Sequence, residues 1–311
     1  MKKFILLFLL SFSVFSQSLP PIQSYSPQEY NAANQNWMIS ESSDNEILFS
    51  NSEALLLFNG TSWNNYDSPN GSVIRSVKNI EDKIYIGTHS DFGFFQKSSN
   101  GKLIYTSLVD KLDLKIEEDE EFWNILLLDN WIIFQSISRL IFMDKNNNDV
   151  KYLKFKGIIN NSFSIDRQIY IALDTGLFRL VNGQPELVID SIQLPSQIVN
   201  IFPSEKGLLI LTARDGFYLE NKPGLLYKVP SSIDSFQIGF SVFSAIRLKD
   251  FSFALGTVGQ GLFLLEPDLK SFKKIDKSEG LANNTVLSIY EDSKNNIWLG
   301  LDNGISVINI N

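Results

Sequence analysis

One phrase recurs seven times along the chain. It is clearest near the C-terminal end, where Val286-Leu287-Ser288-Ile289-Tyr290-Glu291-Asp292 leads through a polar turn to Ile297-Trp298-Leu299-Gly300 and on to Asp302-Asn303-Gly304-Ile305-Ser306-Val307-Ile308. Short, mostly alternating apolar runs separated by turn residues spell three consecutive strands. Asp292 can bond its own downstream backbone and set the first turn, and Gly304 supplies the flexible backbone that a second tight turn needs. The middle run recurs at Phe253-Ala254-Leu255-Gly256, Leu209-Ile210-Leu211-Thr212, Ile169-Tyr170-Ile171-Ala172, Trp131-Ile132-Ile133-Phe134-Gln135, Ile84-Tyr85-Ile86-Gly87 and Ile47-Leu48-Phe49-Ser50, each time followed by a third run. Anchored on the residue that ends it, the copies stand at Ser50, Gly87, Gln135, Ala172, Thr212, Gly256 and Gly300, with gaps of 37, 48, 37, 40, 44 and 44 residues. Seven units of about 42 residues match the four-stranded blade of a β-propeller. A β-helix needs a much shorter period, and a helical solenoid would alternate at 3.6 rather than 2. The fold class is therefore read as all-β, a seven-bladed β-propeller.

Closing such a ring makes a further demand. The last repeat shows only three strands before Asn311, which would leave an unpaired edge. The sixth repeat ends in Phe272-Lys273-Lys274-Ile275 and passes through Asn283-Asn284-Thr285-Val286 into the next first strand. The N-terminal stretch Ile22-Gln23-Ser24-Tyr25 passes through Asn34-Gln35-Asn36-Trp37 in the same way. The alignment predicts residues 20–26 as the outer strand of the seventh blade.

Ahead of that strand, Met1-Lys2-Lys3, an apolar run over residues 4–15 and then Ser16 read as a secretory signal peptide, residues 1–16. Residues 17–311 are then one propeller domain, exported and expected in the periplasm. No later run approaches the ~18 apolar residues of a membrane span. The chain has no cysteine, so no disulfide supports it and the core must carry its stability. Without Lys2 and Lys3 it has 25 basic against 35 acidic residues, a net charge of −10. That surface repels nucleic-acid phosphates and argues against direct nucleic-acid contact.

The last repeat, residues 286–308, resembles the bacterial two-component regulator propeller repeat in its apolar strand, Glu-Asp, polar turn, Ile-Trp-Leu-Gly and Asp-Asn-Gly-Ile. Leu19-Pro20-Pro21-Ile22-Gln23, Asn34-Gln35-Asn36-Trp37, Phe58-Asn59-Gly60, Ile74-Arg75-Ser76-Val77 and Glu121-Phe122-Trp123-Asn124 are similar to one subfamily of exported propeller sensors of Gram-negative bacteria. Its members continue into a second propeller, a three-tyrosine immunoglobulin-like domain, one membrane helix and a cytoplasmic output. That output is a LuxR-type helix-turn-helix or, in hybrid relatives, a histidine kinase. The present sequence stops after the first propeller, so it is expected to be a fragment of such a regulator or a stand-alone sensor. The resemblance implies an extracytoplasmic sensor domain, not an enzyme and without cofactor, that binds a small molecule or glycan or docks a second propeller. Two rivals stand beside it: a structural interaction domain that dimerises through a flat face, and a polysaccharide-active enzyme.

Candidate chemistry is sparse. His89 is the only histidine, which makes a catalytic triad or a multi-histidine zinc site hard to build. The acidic run Glu117-Glu118-Asp119-Glu120-Glu121 reads as a solvated interblade loop. Asp144-Lys145-Asn146-Asn147-Asn148-Asp149 lacks the central glycine of a calcium loop, and Phe155 stands where its bidentate glutamate belongs, so it reads as a blade loop. No carboxylate pair stands out from the repeat. In a propeller, the entries to the first strands and the turns between second and third strands share one face around the channel. Loops on such a scaffold carry binding groups. That face is expected to present His89, Asp91, Phe92, Trp123, Asn124, Asp174, Arg214, Gln260, Asn284 and Asp302, a mixed aromatic and polar rim suited to a sugar or another polar metabolite. Each is also an ordinary residue for a turn.

Overall fold

A single repeat cannot cover both faces of its own sheet, so the sheets must stand side by side. The structure, a computed structural model, describes residues 20–236, 239 and 241–310. The segment read as a signal peptide, residues 1–16, lies outside the described residues. Among the described residues stand seven four-stranded antiparallel sheets. Each runs from an innermost strand a to an outermost strand d. The seven a strands are Asn36–Glu41, Ser76–Ile80, Asn124–Leu128, Ile159–Ile165, Ile198–Ser204, Val242–Arg247 and Val286–Glu291. They surround a central channel. Seven apolar clusters fill the seven spaces between neighbouring blades. One of them, between blades seven and one, packs Tyr25, Phe58 and Trp298 together.

The ring closes as expected. Ile22–Tyr25 is the outer strand of blade seven and pairs antiparallel with Ile305–Asn309, Ile22 opposite Ile308 and Tyr25 opposite Ile305. Asn36 completes the joint: its amide donates to the Gly304 carbonyl at 3.0 Å, and its own oxygen accepts from Asn51 at 2.9 Å. The repeat motif also has a physical reading. Buried Asp292 accepts the backbone N–H groups of Lys294 and Asn296 and the Trp298 indole N–H, each at 2.8 Å. One carboxylate thus shapes the turn and positions the core tryptophan.

A belt of hydrogen bonds joins each blade to the next near the axis. Ser50 Oγ donates to the Arg75 carbonyl (3.3 Å), Ser76 Oγ to Phe122 (2.9 Å), Asn124 Nδ2 to Ser162 (3.0 Å) and Asn161 Nδ2 to Val199 (3.2 Å). Asn200 Nδ2 continues to Ala245 (2.6 Å), Ser244 Oγ to Val286 (3.3 Å) and Ser288 Oγ to Asn36 (3.2 Å), which closes the circle. Six of the seven donors sit at one register position of strand a; in blade one, Met38 takes that position and Ser50 opposite it donates instead.

The belt explains the strand-b anchors. Serine donors face Gly87, Gly256 and Gly300, whereas asparagine donors face Gln135, Ala172 and Leu211. A Cβ on Gly256 or Gly300 would run into the belt serine and the next blade's strand a, and one on Gly87 into Ser76 and into Phe122, just ahead of that strand. Glycine lets the next strand approach within reach of a serine; with a side chain at the anchor, the longer asparagine spans the gap. The register corrects one anchor: Leu211, not Thr212, occupies it in blade five, because Thr212 pairs one step earlier with Ile198.

Gly300→Val places a branched side chain where Ser288 Oγ and the Asn36 carbonyl lie. It is expected to cost about 1–3 kcal/mol or more, as overpacking does, and to lower the thermal midpoint. An unchanged melting curve for this variant would refute the belt's role in setting blade spacing.

Candidate functional site

The residue just ahead of each belt position is squeezed out of the sheet. Blades one, four, five, six and seven carry a register shift there, over 36–38, 159–161, 198–200, 242–244 and 286–288. In blades two and three the residue precedes the strand and bonds the same anchor, Arg75 N–H to the Gly87 carbonyl and Trp123 N–H to the Gln135 carbonyl, both at 2.8 Å. Such bulges re-aim a side chain. The five bulges and the two strand entries together aim seven residues into the channel: Trp37, Arg75, Trp123, Asn160, Val199, Phe243 and Leu287, all on the wall of a cavity of about 680 Å³.

Three of these form a compact group. The Arg75 guanidinium carbon lies 4.5 Å from the Trp37 ring centroid and 4.3 Å from that of Trp123. The two indoles meet edge to face at 6.1 Å. Glu121 pairs with Arg75 at 3.1 Å, and Trp37 donates its indole N–H to Ser52 Oγ at 2.9 Å. The guanidinium is therefore held in one orientation by its neighbours. Lys78, farther down the same strand, also lines the cavity, and burial lowers its ammonium pKa below the usual lysine value. The cavity wall carries no aspartate, glutamate or histidine among the described residues.

Two of the ten residues expected on the channel face, Trp123 and Asn124, line this cavity; the other eight do not. Phe92 is fully buried, its ring 4.8 Å from Phe122 and 4.2 Å from Phe134, and offers no binding surface. Asp91 accepts from Tyr105 Oη at 2.9 Å and Ser107 Oγ at 2.7 Å inside blade two. Burial raises its carboxyl above the ordinary aspartate value and pushes the Tyr105 phenol well up. His89 contacts Asp119 and Ser90. Asp174 accepts the Ile158 N–H, Asn284 that of Lys277, and Asp302 the Gln35 amide. Arg214 and Gln260 are held in their turns by backbone N–H bonds to Ser196 and Thr257. The turn residues serve their turns, and the bulges supply the channel. Trp37 and Arg75 were missed because the repeat was anchored on strand b. Alignment on the serine or asparagine of strand a would have shown the variable residue before it.

The acidic run also departs from expectation. It is a crossing loop in which Glu118 and Asp119 are exposed, as expected, while Glu120 is buried and ion pairs hold Glu117, Glu120 and Glu121. Glu117 pairs with Lys154, Asp119 with His89 and Glu121 with Arg75. Glu120 and Arg139 form a two-point pair and are 3% and 5% exposed. The 144–149 segment is the turn between Arg139–Asp144 and Val150–Lys154. No group of three or more potential metal ligands occurs among the described residues.

Residues 280–303 match the family model described as two component regulator propeller. No curated protein sequence matches the chain. Among solved structures, the chain is similar to the extracellular domain of a one component system from B. thetaiotaomicron, at 18% identity and a TM-score of 0.75 over 93% of this chain and 40% of that one. It is similar to the extracellular domain of a hybrid two component system from the same organism, at 17% identity and a TM-score of 0.74 over 94% and 42%. It is also similar to virginiamycin B lyase from Staphylococcus aureus, at 10% identity and a TM-score of 0.67 over 93% and 99%. The chain thus spans about two fifths of the two extracellular domains. It carries a two component regulator propeller repeat on a seven-bladed β-propeller.

Replacing Glu120 with alanine would strand the Arg139 charge in a site closed to water. Breaking one side of a buried pair costs about 3–5 kcal/mol. Denaturant unfolding of Glu120→Ala should show that loss, and a shift of under ~0.5 kcal/mol, typical of a surface change, would restore the solvated reading.

Proposed function

We propose that this chain is the exported sensor propeller of a bacterial signalling protein and that the mouth of its channel receives a small ligand. One observation carries the reading. The scaffold presents one residue just ahead of each belt position around the axis, yet those residues are Trp, Arg, Trp, Asn, Val, Phe and Leu. A purely structural ring would have no use for that variety. A binding ring would, because a few placed polar groups among apolar ones fix a ligand's orientation. The regulator repeat at residues 280–303 and the likeness to extracellular domains of one- and two-component systems support the sensor setting.

Catalysis is the weaker reading. Glycoside hydrolysis needs two carboxyl groups flanking the bond, and the cavity wall has none among the described residues. Similarity to a lyase of 10% identity speaks for the shared fold, and fold alone does not carry activity. A docking role has its own specific support. Ile104, Tyr152, Leu187 and Tyr227 are 49–65% exposed on the outer strands of blades two to five. Exposed apolar residues on successive blades suit a neighbouring domain or a second copy.

Calorimetric titration of the exported chain with a panel of oligosaccharides and small metabolites tests the ligand reading. Binding of a panel member should weaken at least tenfold in Trp37→Ala and in Arg75→Ala while both variants keep their melting points within a few degrees. Unchanged affinity in both would remove the channel mouth as the site.

A further inference from the structure

We propose that the channel takes a small organic acid with an apolar body and that the Lys78 ammonium holds its single carboxylate. This refines, and rests on, the reading of the channel as a ligand site.

Lys78 is out of place by the logic of the repeat. It stands on strand a of blade two, two residues beyond the belt serine, opposite Tyr85. The matching positions in the other blades hold Ser40, Leu126, Phe163, Phe202, Ile246 and Tyr290, mostly residues that pack between blades. Lys78 is nonetheless one of the residues that line the cavity. No hydrogen bond, ion pair or ring contact engages its ammonium among the described residues. Arg75, the other cation on the wall, is already matched by Glu121. An amine withdrawn from water without a partner is costly. The chain as a whole is acidic, with a formal net charge of −8. Yet this cavity wall offers one uncompensated positive charge and no carboxylate among the described residues.

The surroundings restrict the anion. One ammonium balances a carboxylate. It does not balance a phosphate group, which carries about −1.5 to −2 near neutral pH. Asn160 adds an amide to the polar side of the wall, while Met38, Phe243, Ile246 and Leu287 give blades one, six and seven an apolar side. A molecule that sets its carboxylate on Lys78 and its hydrocarbon against Ile246 and Leu287 satisfies both sides. By the strand rise of ~3.3 Å per residue, Lys78 lies about 10 Å beyond Arg75, deep enough for the mouth ring to close over such a ligand.

The test uses the exported chain at fixed ionic strength, with benzoate and hexanoate as probes, benzamide and hexanamide as neutral counterparts, and inorganic phosphate as competitor. Wild type should bind the acids at least tenfold more tightly than the amides. Lys78→Met should remove that preference, and Lys78→Arg should retain it. Phosphate should not displace either acid. Lys78→Met should melt no lower than wild type, because methionine suits a position that is apolar in most other blades. Should it fail to fold, the acid-to-amide ratio in wild type decides alone. Equal affinity for acids and amides, a preference that survives Lys78→Met, or displacement by phosphate overturns the inference. If only the acid preference is missing while panel ligands still depend on Trp37 and Arg75, the ligand-site reading stands. If nothing binds in the channel, both fall.

Discussion

A single contact made seven times holds this molecule in its form: a side chain near the start of one blade donates to a backbone carbonyl of the next. Each such bond contributes only about 0.5–1.5 kcal/mol net. Its structural weight is larger, because it fixes how closely neighbouring blades approach and so the diameter of the ring. The glycines facing the serine donors and the larger residues facing the asparagine donors are two solutions to that spacing. The last bond, from Ser288 to the Asn36 carbonyl, links residues 252 apart in sequence, so the belt exists only when the ring is closed. The outer strand Ile22–Tyr25 makes that closure from the other edge of the same blade.

The belt also creates the site. To place its donor against the next blade, each strand a carries or is preceded by one extra residue, and that residue has nowhere to go but the channel. Constraint and variety are thereby separated by a single step along the chain: six of the seven belt residues are restricted to what can reach a carbonyl, and the residue before each differs from blade to blade. The pairs Ser76 and Arg75, Asn124 and Trp123, and Ser244 and Phe243 show the division. A rigid scaffold that presents variable side chains at fixed geometry is the arrangement that binding sites on other folds achieve with loops.

Charge is distributed with the same economy. Within residues 117–121, Glu117, Glu120 and Glu121 each find a cation on blade two or three and Asp119 meets the His89 ring, which ties the entry of blade three to its neighbours. Glu121 in turn orients Arg75 between two indoles, so the crossing loop reaches the channel mouth through one ion pair. Lys78 is left without such a partner among the described residues, and the deeper channel differs in character from its mouth.

The fold class, the number of blades and the N-terminal closing strand were all legible in the sequence, because each rests on periodicity and on the unpaired edge a three-stranded blade would leave. The turn chemistry of Asp292 was legible too, being local. The strand-b anchor of blade five was off by one residue, since Leu211 and Thr212 differ only in register, and register is a relation between strands. The site itself was largely hidden. Asp91, Phe92 and Asp302 look like rim residues in a linear reading, but long-range packing turns them inward or onto other loops, whereas Trp37 and Arg75 look like strand residues and line the channel, one in a bulge and one at a strand entry. Whether the acidic run was solvated or paired also depended on Arg139 and Arg75, which stand 18 or more residues away from it on either side. A one-dimensional pattern records which residues alternate; which side chain faces the axis, and which charge meets which, is decided only when seven sheets are brought around a common centre.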